Sequence, residues 1–248
     1  MEPPVITSSL LTSSGIVQSG VSTRLGGVSS PPFGMNLSLK VGDEPSNVEE
    51  NRRRFLSVFG TASERLATPI QVHGNVVQRV STPGQYPDCD GLVTDVPGLF
   101  LGVSVADCVP VLMLDRRRRV IAAVHAGWRG SSSGIAQQAI GVMRAEFDSD
   151  PVDITVFIGP CASACCYSVG KEVADVFDLS VVTKRDGIYF VDLKAAINLA
   201  LASSGVPANQ IEMSQHCTIS DSDLFHSFRR DKEKSGRMMA VIGMTVPR

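Results

Sequence analysis

Six short apolar runs rich in β-branched residues crowd into less than a quarter of the chain, at residues 70–72, 76–80, 91–94, 99–105, 109–114 and 120–124. Runs this short, separated by Gly, Pro, Asp or Arg, predict buried strands with tight connections. Further extended runs follow at 154–158, 188–191, 211–214 and 238–242. Helical spacing predicts four helices. The first covers 44–59, where Val48, Arg52, Phe55, Leu56 and Phe59 repeat at helical intervals, with Asp43 placed to cap it and Gly60 to end it. The second covers 132–147, with Ile135, Ala139, Val142 and Met143 on one face, and the others cover 171–177 and 193–203. Strands outnumber helices and mostly follow one another, which points to an α+β arrangement of mixed sheets with helices outside, not to a doubly wound parallel sheet. No low-complexity tract, repeat or long linker interrupts the chain, so a single domain over 1–248 is expected.

Composition narrows the function classes. With 43% hydrophobic residues and 23 Lys+Arg against 25 Asp+Glu, a net charge of −2, the 248-residue chain has the content of a globular protein large enough to need no staples. The balanced charge argues against nucleic acid as a partner, because phosphate binding needs a concentrated basic face. The longest apolar stretch, 99–114, is interrupted by Asp107 and Pro110 and falls short of the roughly 20 residues that span a bilayer. No membrane association is therefore expected, and the segment 1–14 lacks the basic start of a secretory signal, so the cytoplasm is the expected compartment. Six cysteines form no regular framework and are expected as reduced thiols. No coiled coil or apolar stripe forces association, and a monomer is expected.

Chemistry concentrates at strand ends. His73 stands in Gln71-Val72-His73-Gly74, Cys108 in Ala106-Asp107-Cys108-Val109-Pro110, and His125 in His125-Ala126-Gly127-Trp128-Arg129-Gly130. Two imidazoles and one thiolate suit Zn²⁺ and would leave a fourth position open, the pattern of a catalytic site. The plainer alternative is a buried small cysteine and two separately satisfied core histidines. A third reading makes Cys108 a thiol nucleophile with His125 as its base. Asp90 and Asp107 are the acids nearest these residues in sequence, able to relay protons or to orient a histidine. Other conspicuous features read as structural. Arg116 to Arg119 form a solvated hairpin tip, and Cys161, Cys165 and Cys166 have no standard zinc spacing and suggest a turn. His216 and His226 read as ordinary packing, and Trp128, the single tryptophan, reads as packing against the ligand strand.

Five segments together resemble the YfiH-type laccase-domain family, whose members carry the names multicopper polyphenol oxidase, purine nucleoside phosphorylase and adenosine deaminase. They are Asn36-Leu37-Ser38 with Val41-Gly42-Asp43 and Glu50-Asn51-Arg52; Gln71-Val72-His73-Gly74; Ala106-Asp107-Cys108-Val109-Pro110; His125 to Gly130; and Ile158-Gly159-Pro160 through Cys166-Tyr167-Ser168-Val169-Gly170. The likeness continues to Ser227-Phe228-Arg229-Arg230 and Gly236-Arg237. It implies an α/β/β/α sandwich with internal duplication. It also implies zinc on His73, Cys108 and His125, with copper the less suited metal, and purine nucleosides and phosphate as substrates. The implied reactions are phosphorolysis of adenosine, inosine, guanosine and methylthioadenosine, and hydrolytic deamination of adenosine. Arg52 matches a substrate-site arginine, and Asn36 matches a position able to bond ribose or base, or else to hold its own loop. Arg129 and Arg229 are further anion-binding candidates. Against this stand a copper polyphenol oxidase, which four histidines in all oppose, a Cys-His thiol hydrolase or deamidase, and a non-catalytic nucleotide-binding module.

Overall fold

The computed structural model describes residues 2–245; Met1 and 246–248, the ends of the expected 1–248 unit, lie outside the described residues. Two six-stranded sheets make the frame. The first runs Val5–Ile6, Val17–Ser22, Met238–Met244, Phe100–Val105, Leu66–Pro69, Gly84–Tyr86, antiparallel up to Phe100–Val105 and parallel from there on. The second runs Ile211–Met213, Ile154–Ile158, Val109–Asp115, Val120–Ala126, Gly91–Thr94, Val77–Arg79, with parallel pairs at its two edges and antiparallel pairs between. Both sheets are mixed, as the run of consecutive strands predicts. A small three-stranded sheet, Ser168–Val169, Ile188–Val191, Val182–Arg185, stands beside them.

Alternation along the central strands explains the layering. Leu112, Leu114, Ile121 and Ala123 of the second sheet meet Leu101, Val103, Ala240 and Ile242 of the first, forming the layer between the sheets. The intervening residues Val111, Met113, Ala122 and Val124 face outward and are covered by Ile135, Ala139, Ile140 and Met143 of the Ile135–Phe147 helix and by Ile197 and Leu201 of Leu193–Ser203. On the other outer face, Phe55 and Leu56 of the Pro45–Ser57 helix pack on Leu66, Phe100 and Val241. Strands buried on both faces read as continuous apolar runs, and each fully buried Leu or Ile contributes roughly 1.5–3 kcal/mol. The result is the α/β/β/α sandwich.

Several elements differ from expectation for local reasons. The strand expected at 70–72 is Leu66–Pro69 instead. Residues 71–74 leave the sheet because side chains take over their backbone partners: the Gln71 amide bonds both backbone groups of Ser104, at 2.9 and 2.8 Å. Asp43 does not cap the first long helix. Glu44 holds that position without a side-chain bond, while Asp43 accepts from Ser29 Oγ at 2.7 Å and Asn36 Nδ2 at 3.0 Å. The expected helix 132–147 divides into Trp128–Ser132 and Ile135–Phe147 at Gly134, whose φ of +80° a helix cannot accommodate. The helix expected at 171–177 stops at Ala174. Arg116 to Arg119 do form the exposed tip of a hairpin, with Asp115 Oδ1 accepting the N–H groups of Arg117 and Arg118.

Candidate metal centre and its cavity

Three chain segments deliver His73, Cys108 and His125 to one point, where a ligating atom from each lies within 4.8 Å of the others. The His73 and His125 rings stand edge to face, centroids 4.9 Å apart. Each residue comes from a different segment near a strand end. His125 is the penultimate residue of Val120–Ala126, Cys108 immediately precedes Val109–Asp115, and the two strands pair so that Val109 lies opposite Ala126. His73 comes from the loop that leaves the first sheet, and its backbone sits in the left-handed region at φ +60°. Asp107, beside Cys108, is also left-handed at φ +88°. Such conformations cost of order 1–3 kcal/mol and persist where surroundings enforce them.

Asp90 is what enforces the first of them. Its fully buried carboxylate accepts the N–H groups of Val72 at 3.1 Å, His73 at 3.0 Å and Gly74 at 2.8 Å, and bonds His125 Nδ1 at 2.7 Å. One carboxylate therefore fixes the loop that carries one imidazole and the ring orientation of the other. That leaves His125 Nε2 as the nitrogen free to face the cluster, the usual arrangement behind a metal-bound histidine. Burial works to raise the Asp90 pKa, but the His125 hydrogen bond and the Gly74 and Val72 N–H groups outweigh it and hold the carboxyl below its ordinary value. Cys108 and His125 shift each other. Burial opposes charge on both, yet the neighbouring imidazoles bring the Cys108 thiol down to about 6 while Cys108 and Asp90 push His125 up to about 9.

Gly127 keeps the centre open. A Cβ there would lie 3.1 Å from His73 Cδ2 and 3.3 Å from Cys108 Sγ, inside the ligand triangle. Two residues on, Arg129 lies over the Trp128 ring at 4.3 Å, and Trp128 packs against the core under Val120–Ala126.

The cluster sits in the wall of a cavity of about 670 Å³ that also exposes Arg52, Asp107, Tyr167, Phe228, Arg229 and Arg237. Arg52 is anchored by Nε donating to Leu37 O at 2.8 Å and lines the cavity. Burial lowers the pKa of Arg52 and of Arg237, although a guanidinium stays charged at any working pH. Asp107 is tied at both oxygens, accepting from Thr218 Oγ1 at 2.7 Å and from the Arg229 N–H at 2.6 Å. The Arg229 guanidinium lies 5.2 Å from the Tyr167 ring centroid, and that of Arg237 5.3 Å from Phe228.

Two expected substrate-binding residues are not on this wall. Asn36 is fully buried and saturated: Nδ2 donates to Ser38 O and Asp43 Oδ2, and Oδ1 accepts from the N–H groups of Ser38 and Arg237. It holds its own loop and has nothing left for a ribose. Arg129, engaged with Trp128, is not among the residues lining the cavity. Asp90 is not among the residues lining the cavity; it bonds His125 Nδ1 from the side away from it, a placement suited to orienting that ring. Sequence reasoning misses Arg237, Tyr167 and Phe228 as cavity residues; Gly236-Arg237, Cys166-Tyr167 and Ser227-Phe228 stand in the motifs, but only the fold shows that they converge.

Residues 18–245 match the family described as multi-copper polyphenol oxidoreductase laccase. Among relatives, "Purine nucleoside phosphorylase YlmD" of Geobacillus stearothermophilus is 36% identical over 243 residues, covering 90% of this chain and 89% of the relative. A purine nucleoside phosphorylase of Mycobacterium tuberculosis is 40% identical over 229 residues, with 90% of each chain covered. The crystal structure of the Geobacillus YlmD superposes with a TM-score of 0.89 at 35% identity, covering 93% of this chain and 92% of that one. The Neisseria meningitidis protein NMB0706 gives 0.86 at 31% identity over 99% and 100%. The chain belongs to this laccase-domain family, the YfiH type. Among the described residues no helix is long and apolar enough to cross a membrane.

Proposed function

We propose that the protein is a purine nucleoside phosphorylase that also deaminates adenosine, with zinc held by His73, Cys108 and His125. The observation that carries this reading is the junction of that donor set with three cavity arginines, Arg52, Arg229 and Arg237, in one space. The donor set fits zinc: two imidazoles and a thiol already favouring the thiolate, one imidazole backed by a carboxylate. A zinc ion bound there would supply a Lewis acid and bring the pKa of a coordinated water toward about 7. The protein's own groups supply the rest. Phosphorolysis requires a phosphate held below the sugar while positive charge develops at C1′ and the purine departs with a proton. Guanidinium forks bind phosphate bidentately, and a partly buried cavity strengthens that attraction. Arg52 is anchored at Nε by Leu37 O, and Arg237 at one terminal nitrogen by Ser235 O and Gly236 O, so both are held at the cavity. Tyr167 and Phe228 offer aromatic faces to a purine, and Asp107 is the carboxyl group at the wall. Adenosine, inosine, guanosine and methylthioadenosine all present a purine ring system and an N-glycosidic C1′ to these groups.

Four-copper oxidation is opposed by the donor count. Of the four histidines only His73 and His125 meet; His216 bonds Asp221 at 2.8 Å, and His226 is buried elsewhere. A metal-free thiol hydrolase is the second reading, favoured by the Cys108–His125 polarisation. Metal analysis of untagged protein, followed by assays of phosphate-dependent base release from inosine and of adenosine deamination, separates them. Stoichiometric zinc with phosphate-dependent turnover is expected. Metal-replete protein that releases no base with phosphate from any of the four nucleosides overturns the proposal.

A further inference from the structure

A second cluster of soft donors lies outside the cavity. The turn at residues 163–167 presents Cys165 and Cys166, and Cys217 reaches them from a segment more than fifty residues away. Cys165 Sγ is 3.1 Å from Cys166 Sγ and 3.7 Å from Cys217 Sγ, and all three sulfurs lie within 4.8 Å of one another. We propose that Cys165, Cys166 and Cys217 form a second metal site, which takes a thiophilic d¹⁰ cation, Cu(I) or Zn(II). The proposal does not depend on the nucleoside reading of the cavity.

Geometry carries it. Sulfurs bound to a common ion at about 2.3 Å stand roughly 3.8–4.0 Å apart. The Cys165–Cys217 pair is already at that separation, and Cys166 has to move by less than about 1 Å relative to Cys165, a shift within reach of a change at χ1. The three thiols are graded from buried Cys217 through half-buried Cys166 to exposed Cys165, so an ion can enter from the solvent side and retain an open position there. Cys217 is prepared as a ligand: the Ser163 N–H donates to its Sγ at 3.4 Å.

The all-sulfur character of the site selects a soft ion. His216, next to Cys217, is occupied with Asp221, and Cys161 is buried with its Sγ directed to Ala162 O, so neither a nitrogen nor a fourth sulfur joins the set. Thiolate-only sites favour Cu(I) and Zn(II) over harder cations. The spacing Cys-x-x-x-Cys-Cys does not announce this, because one of its cysteines, Cys161, faces away and the missing third ligand is Cys217.

The test is an anaerobic titration of reduced, metal-free protein with Cu(I) against a chromophoric chelator, and separately with Zn(II). The unaltered chain is compared with Cys108→Ala and with Cys108→Ala/Cys165→Ser/Cys166→Ser. Cys108→Ala is expected to lose one of two equivalents and to keep the other, and the added serine changes are expected to abolish that remaining equivalent together with its thiolate-to-metal charge-transfer absorption. Tighter Cu(I) binding identifies copper as the occupant and tighter Zn(II) binding identifies zinc, and either supports the site. Because Cys165 is exposed and Cys166 half-buried, serine at both leaves the core untouched, and circular dichroism verifies the fold. A Cys108→Ala protein that binds neither ion, or an equivalent that survives the two serines, overturns the proposal.

Discussion

Replacing Asp90 by Asn tests whether one carboxylate organises the metal centre. Oδ1 accepts from the His73 N–H and bonds His125 Nδ1, and Oδ2 accepts from the Val72 and Gly74 N–H groups. An amide of the same shape turns one of these oxygens into a donor, so whichever way it lies, two donors face a donor. Two charge-assisted bonds at about 1.5–3 kcal/mol each are lost, and the metal-free protein should lose about 3–6 kcal/mol. Against a total stability of roughly 5–15 kcal/mol this is large without being certain to unfold the chain. Zinc affinity should fall about 10–100-fold, because either the loop that carries His73 or the His125 ring loses its fixed orientation. Urea unfolding and chelator competition measure the two effects. Acid sensitivity gives a further readout. A carboxyl held below its unfolded value of 3.8 contributes stability that is present above that pH and drains away as pH falls through the folded value, and Asn lacks this component. Zinc affinity within threefold of the unaltered chain, with stability within about 1 kcal/mol, would refute this organising role for Asp90.

Cys108→Ala is expected to abolish zinc binding at the His-Cys-His centre and both nucleoside activities with an unchanged fold; full turnover by that variant would sink the zinc mechanism. Arg52→Ala should raise the KM for phosphate and slow base release more than it slows adenosine deamination, measured on one preparation with phosphate varied; an unchanged phosphate KM moves the anion to Arg229 or Arg237. His226 is fully buried with neither ring nitrogen in a well-formed hydrogen bond, and burial, with Arg24 close by, lowers its pKa to about 3 from 6.5 although Asp231 and the Phe33 carbonyl pull the other way. A depressed histidine costs stability as pH falls below the unfolded value, so His226→Phe should remove about 2 kcal/mol of the loss between pH 7 and pH 5, and equal pH slopes for the two proteins in urea titrations would refute it.

How much of the fold and the site is legible in the sequence depends on how far apart the cooperating residues stand. The strands Gly91–Thr94, Val109–Asp115, Val120–Ala126 and Ile154–Ile158 announce themselves because burial on both faces leaves unbroken apolar runs. Val17–Ser22 does not, since Gln18, Ser19, Gly20 and Ser22 dilute its pattern, and only pairing with Met238–Met244 makes it a strand. The metal donors stand in recognisable motifs, but their convergence follows from sheet register, with Val109 opposite Ala126. Local competition explains the residues that do not reach the cavity: Asn36 is consumed by neighbours two and seven positions away, and Arg129 by the ring next to it.

The two acids near Cys108 show the same rule at the level of chemistry. Sequence proximity leaves Asp90 and Asp107 interchangeable, each able to orient or to relay. Their depth separates them. Asp90 sits behind the imidazoles with all its bonds directed at ligands and the loop that carries one of them, so changing it should alter metal affinity first and turnover only through the metal. Asp107 faces the cavity, and its carboxylate ties the Arg229 backbone and Thr218, the neighbour of Cys217, to the strand end that carries Cys108. A change there is expected to act on the cavity side, where the arginines and aromatic rings are mounted. Under the proposed function, two carboxylates seventeen residues apart divide one site between them, one serving the metal ligands and the other the cavity wall proposed to receive the nucleoside.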